Sequence, residues 1–183
     1  FLTGSFHKLV GPKGVGFMKT TGLDSIPLLF GGEQESGRRA GTENVPSILA
    51  ALAALEEAVS EVFDSSPRDL FESRVKALVP GTEILSKEVE RLPNVSALML
   101  PAFENLRWIN RLDRLGFAVS TGSACATANE APSHVLAAMG LQPEAARQVI
   151  RVSGGWSNGA ENWHDLADAL KTVYRGLSKE EDS

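Results

Sequence analysis

Short strand-like runs alternate along this chain with longer segments whose apolar residues recur every three or four positions. Runs of the first kind stand at 15–19, 94–100 and 117–121. In the clearest segment of the second kind, 161–177, one helical face carries Trp163, Leu166, Leu170, Val173, Tyr174 and Leu177. The short runs indicate strands, and the recurrence of apolar residues every three or four positions indicates helices. Their alternation predicts an α/β fold.

The chain is expected to divide near residue 62. Asn44 and Pro46 predict the start of a long helix. Its apolar positions form a stripe of Ile48, Leu52, Leu55 and Val59. After this helix the strands and helices become shorter and closer together. We therefore expect one domain at 1–62, including the linking helix, and a second at 63–183.

Helix ends in the second half carry recognisable signals. Leu106, Ile109, Leu112 and Leu115 predict the apolar side of a helix over 104–115, and Gly116 stands just past its end,. Asn158 with Glu161 predicts a capping-box start for the last helix. The polar tail 178–183 is expected to be disordered.

Charge and composition disfavour several classes of function. The net charge of −5 argues against nucleic acid or an anionic membrane as the main partner,. No apolar stretch is long enough to span a bilayer, no signal-peptide pattern is present, and no metal site is expected. Cys125 is the single cysteine, so no intrachain disulfide can form. This fits a reducing compartment, and we expect a cytoplasmic protein.

The segment "SFHKLVGPKGVG" places a histidine and a lysine on a glycine-bordered turn. A lysine at the end of a strand is usually a solvated charge. Ser5 and His7, however, can donate hydrogen bonds to a phosphate, and the Lys8 amine can bond covalently to an aldehyde. Pyridoxal phosphate is the cofactor that needs both.

Two arginine-containing segments leave alternatives open. Arg38 and Arg39, in "GRRAGTEN", form either a solvated basic turn or an anion site next to the hydroxyl of Thr42,. Arg151, in "IRVSGG", follows an apolar pair in a predicted strand. Its guanidinium is suited to either a structural ion pair or a substrate carboxylate.

Cys125 lies among small residues in "GSACAT". A lone cysteine is most often a small buried hydrophobe, but this composition is typical of an exposed loop. A thiolate on a loop that can move is what sulfur transfer requires.

Taken together and in this order, these segments resemble the cysteine desulfurases of the NifS/IscS type. Those enzymes belong to the class V aminotransferase group of fold-type I pyridoxal-phosphate enzymes. The resemblance runs from "SFHKLVGPKGVG" through "GRRAGTEN", "LPNVSALML" and "STGSACATANEAPSHVLAAMG" to "IRVSGG". It implies that the chain corresponds to the C-terminal half of such an enzyme. Residues 1–62 would be the end of the large transferase-like domain, and 63–183 the small α/β domain with the cysteine loop.

The resemblance also implies how a cofactor is held. Lys8 would bond to pyridoxal phosphate and later carry protons at the substrate carbons, while Ser5 and His7 would hold the phosphate. Thr42 would reach the phosphate of a neighbouring subunit, which implies a homodimer with shared sites.

The implied reaction converts L-cysteine to L-alanine. Arg151 would bind the substrate carboxylate, and Cys125 would take the sulfur as a persulfide. The persulfide would then pass to an acceptor protein, such as an iron–sulfur scaffold or a tRNA-thiolation protein.

Several positions depart from the family pattern. Phe6 replaces a small residue and is expected to crowd the lysine turn, Gly154 replaces an apolar residue, and Thr121 replaces a serine. The family's upstream half, with the groups that stack on and pair with the cofactor ring, is also expected to be missing. Two rival functions therefore stay open. One is a selenocysteine or cysteine lyase of the same fold, and the other is a non-catalytic dimerisation or interaction module.

Overall fold

The computed structural model describes residues 2–21, 27, 29–60, 64–121 and 133–181. The chain divides into two compact units, Phe1–Val62 (unit 1) and Phe63–Ser183 (unit 2).

Unit 1 is built on a short antiparallel hairpin and one long helix. Strands β1 (Leu2–Ser5) and β2 (Gly16–Lys19) pair with Leu2 opposite Lys19. A 3-10 turn at Phe6–Leu9 follows β1 directly. Gly4 leaves room for the Phe17 ring, because a Cβ at this position would lie 2.2 Å from it and the ring would have to shift.

Helix α1 (Val45–Ser60) begins where the sequence predicts. The Asn44 side chain accepts a hydrogen bond from the Ser47 N–H at 3.3 Å, so it caps the first turn,. The predicted apolar stripe is not the buried face of this helix within unit 1. Leu52 is 46% exposed and Val59 78% exposed, whereas Ala51 is buried. The small Ala51 side chain lets α1 pack closely, and the helix lies against the 3-10 turn.

Unit 2 packs helices on both faces of a three-stranded antiparallel sheet of order β3-β4-β5. The strands are β3 (Glu83–Ile84), β4 (Val95–Met99) and β5 (Val149–Ser153). The helices are α2 (Ser66–Leu78), α3 (Asn105–Arg114), α4 (His134–Ala138), α5 (Pro143–Ala146) and α6 (Ala160–Glu181).

The main core of unit 2 joins α2, α3 and α6 to one face of the sheet. Leu98 of β4 and Ile150 of β5 stand opposite each other and are fully buried on that face. The predicted apolar face of α6 supplies much of the rest, including Leu170 and Leu177. A smaller cluster around Leu136 covers the other face. The α/β class is thereby confirmed.

Two predictions about helix ends have different outcomes. Gly116 ends α3 in the left-handed conformation (φ +86°), and its N–H and that of Phe117 bond back to Asp113 and Leu112. This is a Schellman cap, as predicted. The predicted capping box at Asn158 is wrong. Asn158 accepts the Gly155 N–H within a turn, and Asn162 reaches back to the Gly159 N–H at the helix start.

Three further predictions need correction. The buried side of α3 carries Trp108 and Leu112, which are four positions apart and so share one face,. Leu106 and Leu115 lie off this face and are about half exposed. Of the predicted strand 117–121 only Ser120 pairs, in a single bridge with Arg151, and the Phe117 N–H is already bonded to Leu112 in the α3 cap. The tail is helical as far as Glu181, where Glu180 pairs with arginines of α3. No described helix has the length and apolar character to cross a membrane.

Candidate active site

The first part of the site is the turn after β1. Ser5 ends the strand, and the 3-10 turn then presents His7 and Lys8 in an exposed position. Val10 closes the turn in the left-handed region, at φ +63°, which is strained for a β-branched residue. The carbonyl of Phe6 holds it there by accepting the N–H groups of Val10 and Gly11.

Three functional groups therefore lie within four consecutive residues. Ser5 Oγ lies 2.8 Å from His7 Nδ1, which is a hydrogen bond between the two side chains. Lys8 is the next residue and is exposed, so its amine is accessible. The turn thus carries a hydroxyl, an imidazole and an amine on neighbouring exposed residues.

Phe6 does not crowd this turn. Its side chain is buried and packs against Phe17, with 5.4 Å between the ring centroids. The space is kept by Gly11, where a Cβ would lie 2.9 Å from the Phe6 carbonyl oxygen. The ring is an anchor below the turn, and His7 and Lys8 stay on the outer side.

The loop before α1 forms the second part. Glu35 and Ser36 both adopt left-handed conformations, at φ +53° and +58°. The Gln34 side chain crosses the loop and accepts the Gly41 N–H at 3.2 Å. Thr42 follows this fixed point and is exposed just before the start of α1.

The two loop arginines donate to backbone oxygens of the loop itself. Arg38 Nη1 lies 3.4 Å from the Glu35 carbonyl oxygen, and Arg39 Nη1 lies 2.9 Å from that of Ala40. The structure thus gives both arginines a part in shaping the loop.

Arg151 lies in the middle of β5 and is paired on both sides. It stands opposite Ala97 of β4, and on the other side it forms a bridge with Ser120. The Arg151 N–H donates to Ser120 at 2.7 Å, and the Ser120 N–H donates back at 3.1 Å. These bonds fix the backbone from which the half-buried Arg151 side chain extends.

Side chains alternate between faces along a strand. Ile150 and Val152 enter the main core, so Arg151 belongs to the opposite face with Ala97 and Val149. Among the described residues, the apolar cover of this face is the small cluster around Leu136. The guanidinium is therefore kept away from the main core of unit 2.

Close packing against α6 explains the glycine at position 154. A Cβ there would lie 2.7 Å from the buried Trp163 ring. The residue that departs from the family pattern thus makes room for a large side chain of α6.

Cys125 lies outside the described residues, which stop at Thr121 and resume at Ser133. Sequence reasoning missed two residues that hold the site, Gln34 and Ser120. A glutamine in a glycine-rich loop is a weak signal for the first. The second has none, because Ser120 pairs with a residue far away in sequence. Among the described residues, no group of three or more His, Cys, Asp or Glu side chains could hold a metal ion.

Comparison with known proteins gives consistent matches. A cysteine desulfurase of Cereibacter sphaeroides is 40% identical over 86% of this chain and 42% of its own length. The putative cysteine desulfurase IscS 1 of Bacillus subtilis is 36% identical over 97% of this chain and 48% of its own. The chain spans about half the length of these curated relatives.

A solved structure described as a NifS-like protein superposes with a TM-score of 0.75 and 33% sequence identity. The superposition covers 96% of this chain and 45% of that one. The aminotransferase class-V sequence model matches residues 1–166, which include the lysine turn, the Thr42 loop and Arg151. The chain belongs to the class-V aminotransferase family.

Proposed function

We propose that this chain supplies the lysine turn and the carboxylate-binding strand of a pyridoxal-phosphate-dependent cysteine desulfurase. The observation that carries the proposal is the exposed Lys8 amine on the same turn as the hydrogen-bonded pair of Ser5 and His7. Relatives named cysteine desulfurase support the choice of substrate. Unit 1 would be the end of the large cofactor domain and unit 2 the small domain.

The donor set of the turn fits the cofactor. Class-V aminotransferases are pyridoxal-phosphate enzymes, and such a cofactor needs an amine for its aldehyde and hydrogen-bond donors for its phosphate. Lys8 would hold the aldehyde carbon, and Ser5 and His7 the phosphate. When bound, the cofactor withdraws electrons from the α-carbon of an amino acid. The Lys8 amine would then move protons at the substrate α- and β-carbons.

Arg151 would bind and orient the substrate carboxylate. A guanidinium recognises a carboxylate through two parallel hydrogen bonds. Because the backbone N–H and carbonyl of Arg151 are both hydrogen-bonded to Ser120, and β5 pairs with β4 on its other side, the attachment point of the side chain is fixed. A fixed attachment point reduces the freedom lost when the substrate binds.

Cys125 would be the sulfur acceptor. Its thiolate attacks the sulfur of the substrate cysteine, forming an S–S bond while the bond between that sulfur and the β-carbon breaks. The β-carbon gains a proton, so the products are L-alanine and a persulfide on Cys125. Atoms and electrons balance between L-cysteine and one thiol without an external oxidant.

The remaining parts of the proposal concern assembly. Thr42 would contribute its hydroxyl to the phosphate site of a second subunit in a homodimer. The persulfide would pass to an acceptor such as an iron–sulfur scaffold or a tRNA-thiolation protein, in the cytosol. The exposure of Thr42 beside the capped start of α1 supports its role as a donor to a neighbour.

Covalent labelling tests the lysine assignment. The chain is incubated with pyridoxal phosphate, reduced with borohydride and digested, and the modified peptide is located by mass spectrometry. We expect stoichiometric modification of Lys8 and little of the exposed Lys13 in the same hairpin. Equal modification of both lysines, or none, would contradict the assignment and favour a non-catalytic module.

A cysteine variant separates the desulfurase from a lyase of the same fold. Cys125→Ser should abolish persulfide formation and leave labelling of Lys8 unchanged. If the variant still releases sulfide from cysteine at the original rate, the lyase is the correct function.

A further inference from the structure

Unit 2 carries a cationic cleft formed by residues that have no role in the proposed function. The cleft lies between α3 and the end of α6 and has a volume of about 200 Å³. We call it the arginine cleft; it is lined by Arg107, Asn110, Arg111, Arg114, Leu177 and Glu180. Its floor is apolar, since Leu177 is buried in the main core.

The arginine cleft already binds one carboxylate, which belongs to the chain itself. Glu180 forms an ion pair with Arg111 through one oxygen and lies 3.5 Å from Arg107 through the other. The hydrogen bond from Arg111 lowers the pKa of Glu180 below its usual 4.5, so this side chain is negatively charged at neutral pH. The cleft is therefore chemically suited to carboxylates.

The lining of the cleft is mainly cationic. Among the described residues that line it, three are arginines and one, Glu180, carries a carboxylate. Within the described part of the chain, Arg114 has neither a hydrogen-bond nor an ion-pair partner. This excess is local, because the chain as a whole carries −5.

The spacing of the arginines indicates the shape of a partner. Arg107, Arg111 and Arg114 follow one side of α3 at intervals of four and three residues, which places them over about 10 Å of helix. An extended peptide advances about 3.3 Å per residue. Two acidic residues three positions apart in such a peptide therefore span the same length as the three arginines. The arginine side chains are accessible, with Arg107 42% and Arg111 35% exposed.

We propose that the arginine cleft is a docking site for an acidic peptide segment of a partner protein, which displaces Glu180. Two or more carboxylates of the segment pair with Arg107, Arg111 and Arg114. Glu180 is an internal competitor that occupies the cleft when no partner is bound. The overall negative charge disfavours RNA, the other common polyanion, because its long backbone would meet repulsion beyond the cleft.

Peptide binding to the whole 183-residue chain tests the proposal without any catalytic step, so its outcome is independent of the proposed enzyme activity. The probe is a fluorescein-labelled hexaglutamate peptide, and fluorescence anisotropy is measured at low ionic strength. Arg114→Gln removes an arginine that has no hydrogen bond or ion pair with a described residue, so we expect the fold to stay intact. Lys87→Gln removes one exposed positive charge elsewhere in unit 2. Glu180→Gln removes the competitor, and Glu88→Gln is its matched control.

We expect Arg114→Gln to weaken peptide binding about two- to fivefold, which corresponds to one exposed ion pair. Glu180→Gln should tighten binding by a similar factor, although it removes an ion pair from the folded chain. Lys87→Gln and Glu88→Gln should bind like the original chain.

Several results would overturn the proposal. One is the absence of peptide binding to both the original chain and Glu180→Gln. A second is an Arg114→Gln variant no weaker than Lys87→Gln, and a third is a Glu180→Gln variant no tighter than Glu88→Gln. A single-stranded RNA probe that binds as tightly as the peptide, with the same dependence on Arg114, would assign the cleft to nucleic acid instead.

Discussion

Two arginine–carboxylate pairs in unit 2 differ mainly in burial, and we expect their contributions to stability to differ accordingly. In the first, Arg91 donates to Glu72 of α2 at 2.7 and 3.1 Å, and Ser96 of β4 adds a third hydrogen bond at 2.8 Å. The side chains of Arg91 and Glu72 are 13% and 5% exposed. In the second, Arg74 of α2 binds Asp168 of α6 at 2.8 Å, with side chains 38% and 48% exposed.

Glu72→Gln should lower the free energy of unfolding of unit 2 by about 3 kcal/mol. The amide removes the negative charge that is hydrogen-bonded to a nearly buried guanidinium and leaves, among the described residues, only the Asp69 carboxylate to interact with it electrostatically. Breaking a buried pair in this way costs about 3–5 kcal/mol. Asp168→Asn makes the same chemical change at an accessible pair. Water can replace the lost partner there, so we expect a loss below about 1 kcal/mol.

Urea unfolding followed by tryptophan fluorescence measures both variants. All three tryptophans, Trp108, Trp156 and Trp163, belong to unit 2, so the signal reports on that unit alone. Both variants should keep the original dependence of unfolding free energy on urea concentration. Equal losses for the two variants, or a loss below about 1 kcal/mol for Glu72→Gln, would refute the argument from burial.

Three further predictions concern packing, capping and pH. Gly154→Leu should destabilise unit 2 by about 1–3 kcal/mol because of the clash with Trp163. In a double-mutant cycle, a smaller residue at position 163 should reduce that loss of stability. Additive losses for the two changes would contradict the contact. Asn44→Ala should cost about 1 kcal/mol through loss of the α1 cap, measured by circular dichroism during thermal unfolding. Hydrogen bonds from Arg68 and Arg111 lower the pKa values of Asp69 and Glu180 below 3.8 and 4.5. The stabilisation that these two carboxylates contribute is fully present above their ordinary pKa values. It is lost as the pH falls through the lower pKa values of the folded state. The urea concentration at the midpoint of unfolding should therefore decrease once the pH is below about 4. An unchanged midpoint at pH 3 would contradict this.

Many local features could be predicted from the sequence. The apolar face of α6, the Gly116 cap and the Asn44 cap all follow from residues within one or two helical turns of each other. The grouping of Ser5, His7 and Lys8 is equally local, because the three residues share one turn. Such features depend on neighbours that the sequence itself places together.

Other features depend on partners far away in the sequence. The segment 117–121 has the composition of a strand, yet only Ser120 pairs, and it does so with Arg151. The buried side of α3 depends on where Trp108 meets the core. Gly154 is explained only by the approach of Trp163 in the folded unit.

The sequence by itself determined the family resemblance, the chemical identity of the candidate residues, the start of α1 and the end of α3. These follow from residue types and from contacts within a few positions. Only the tertiary structure decided that Glu72 and Arg91 are buried together, that Arg151 is held between two backbone partners, and that Glu180 occupies an arginine cleft. Each of these brings together groups from separate elements, and their burial and electrostatic environment exist only once those elements have packed.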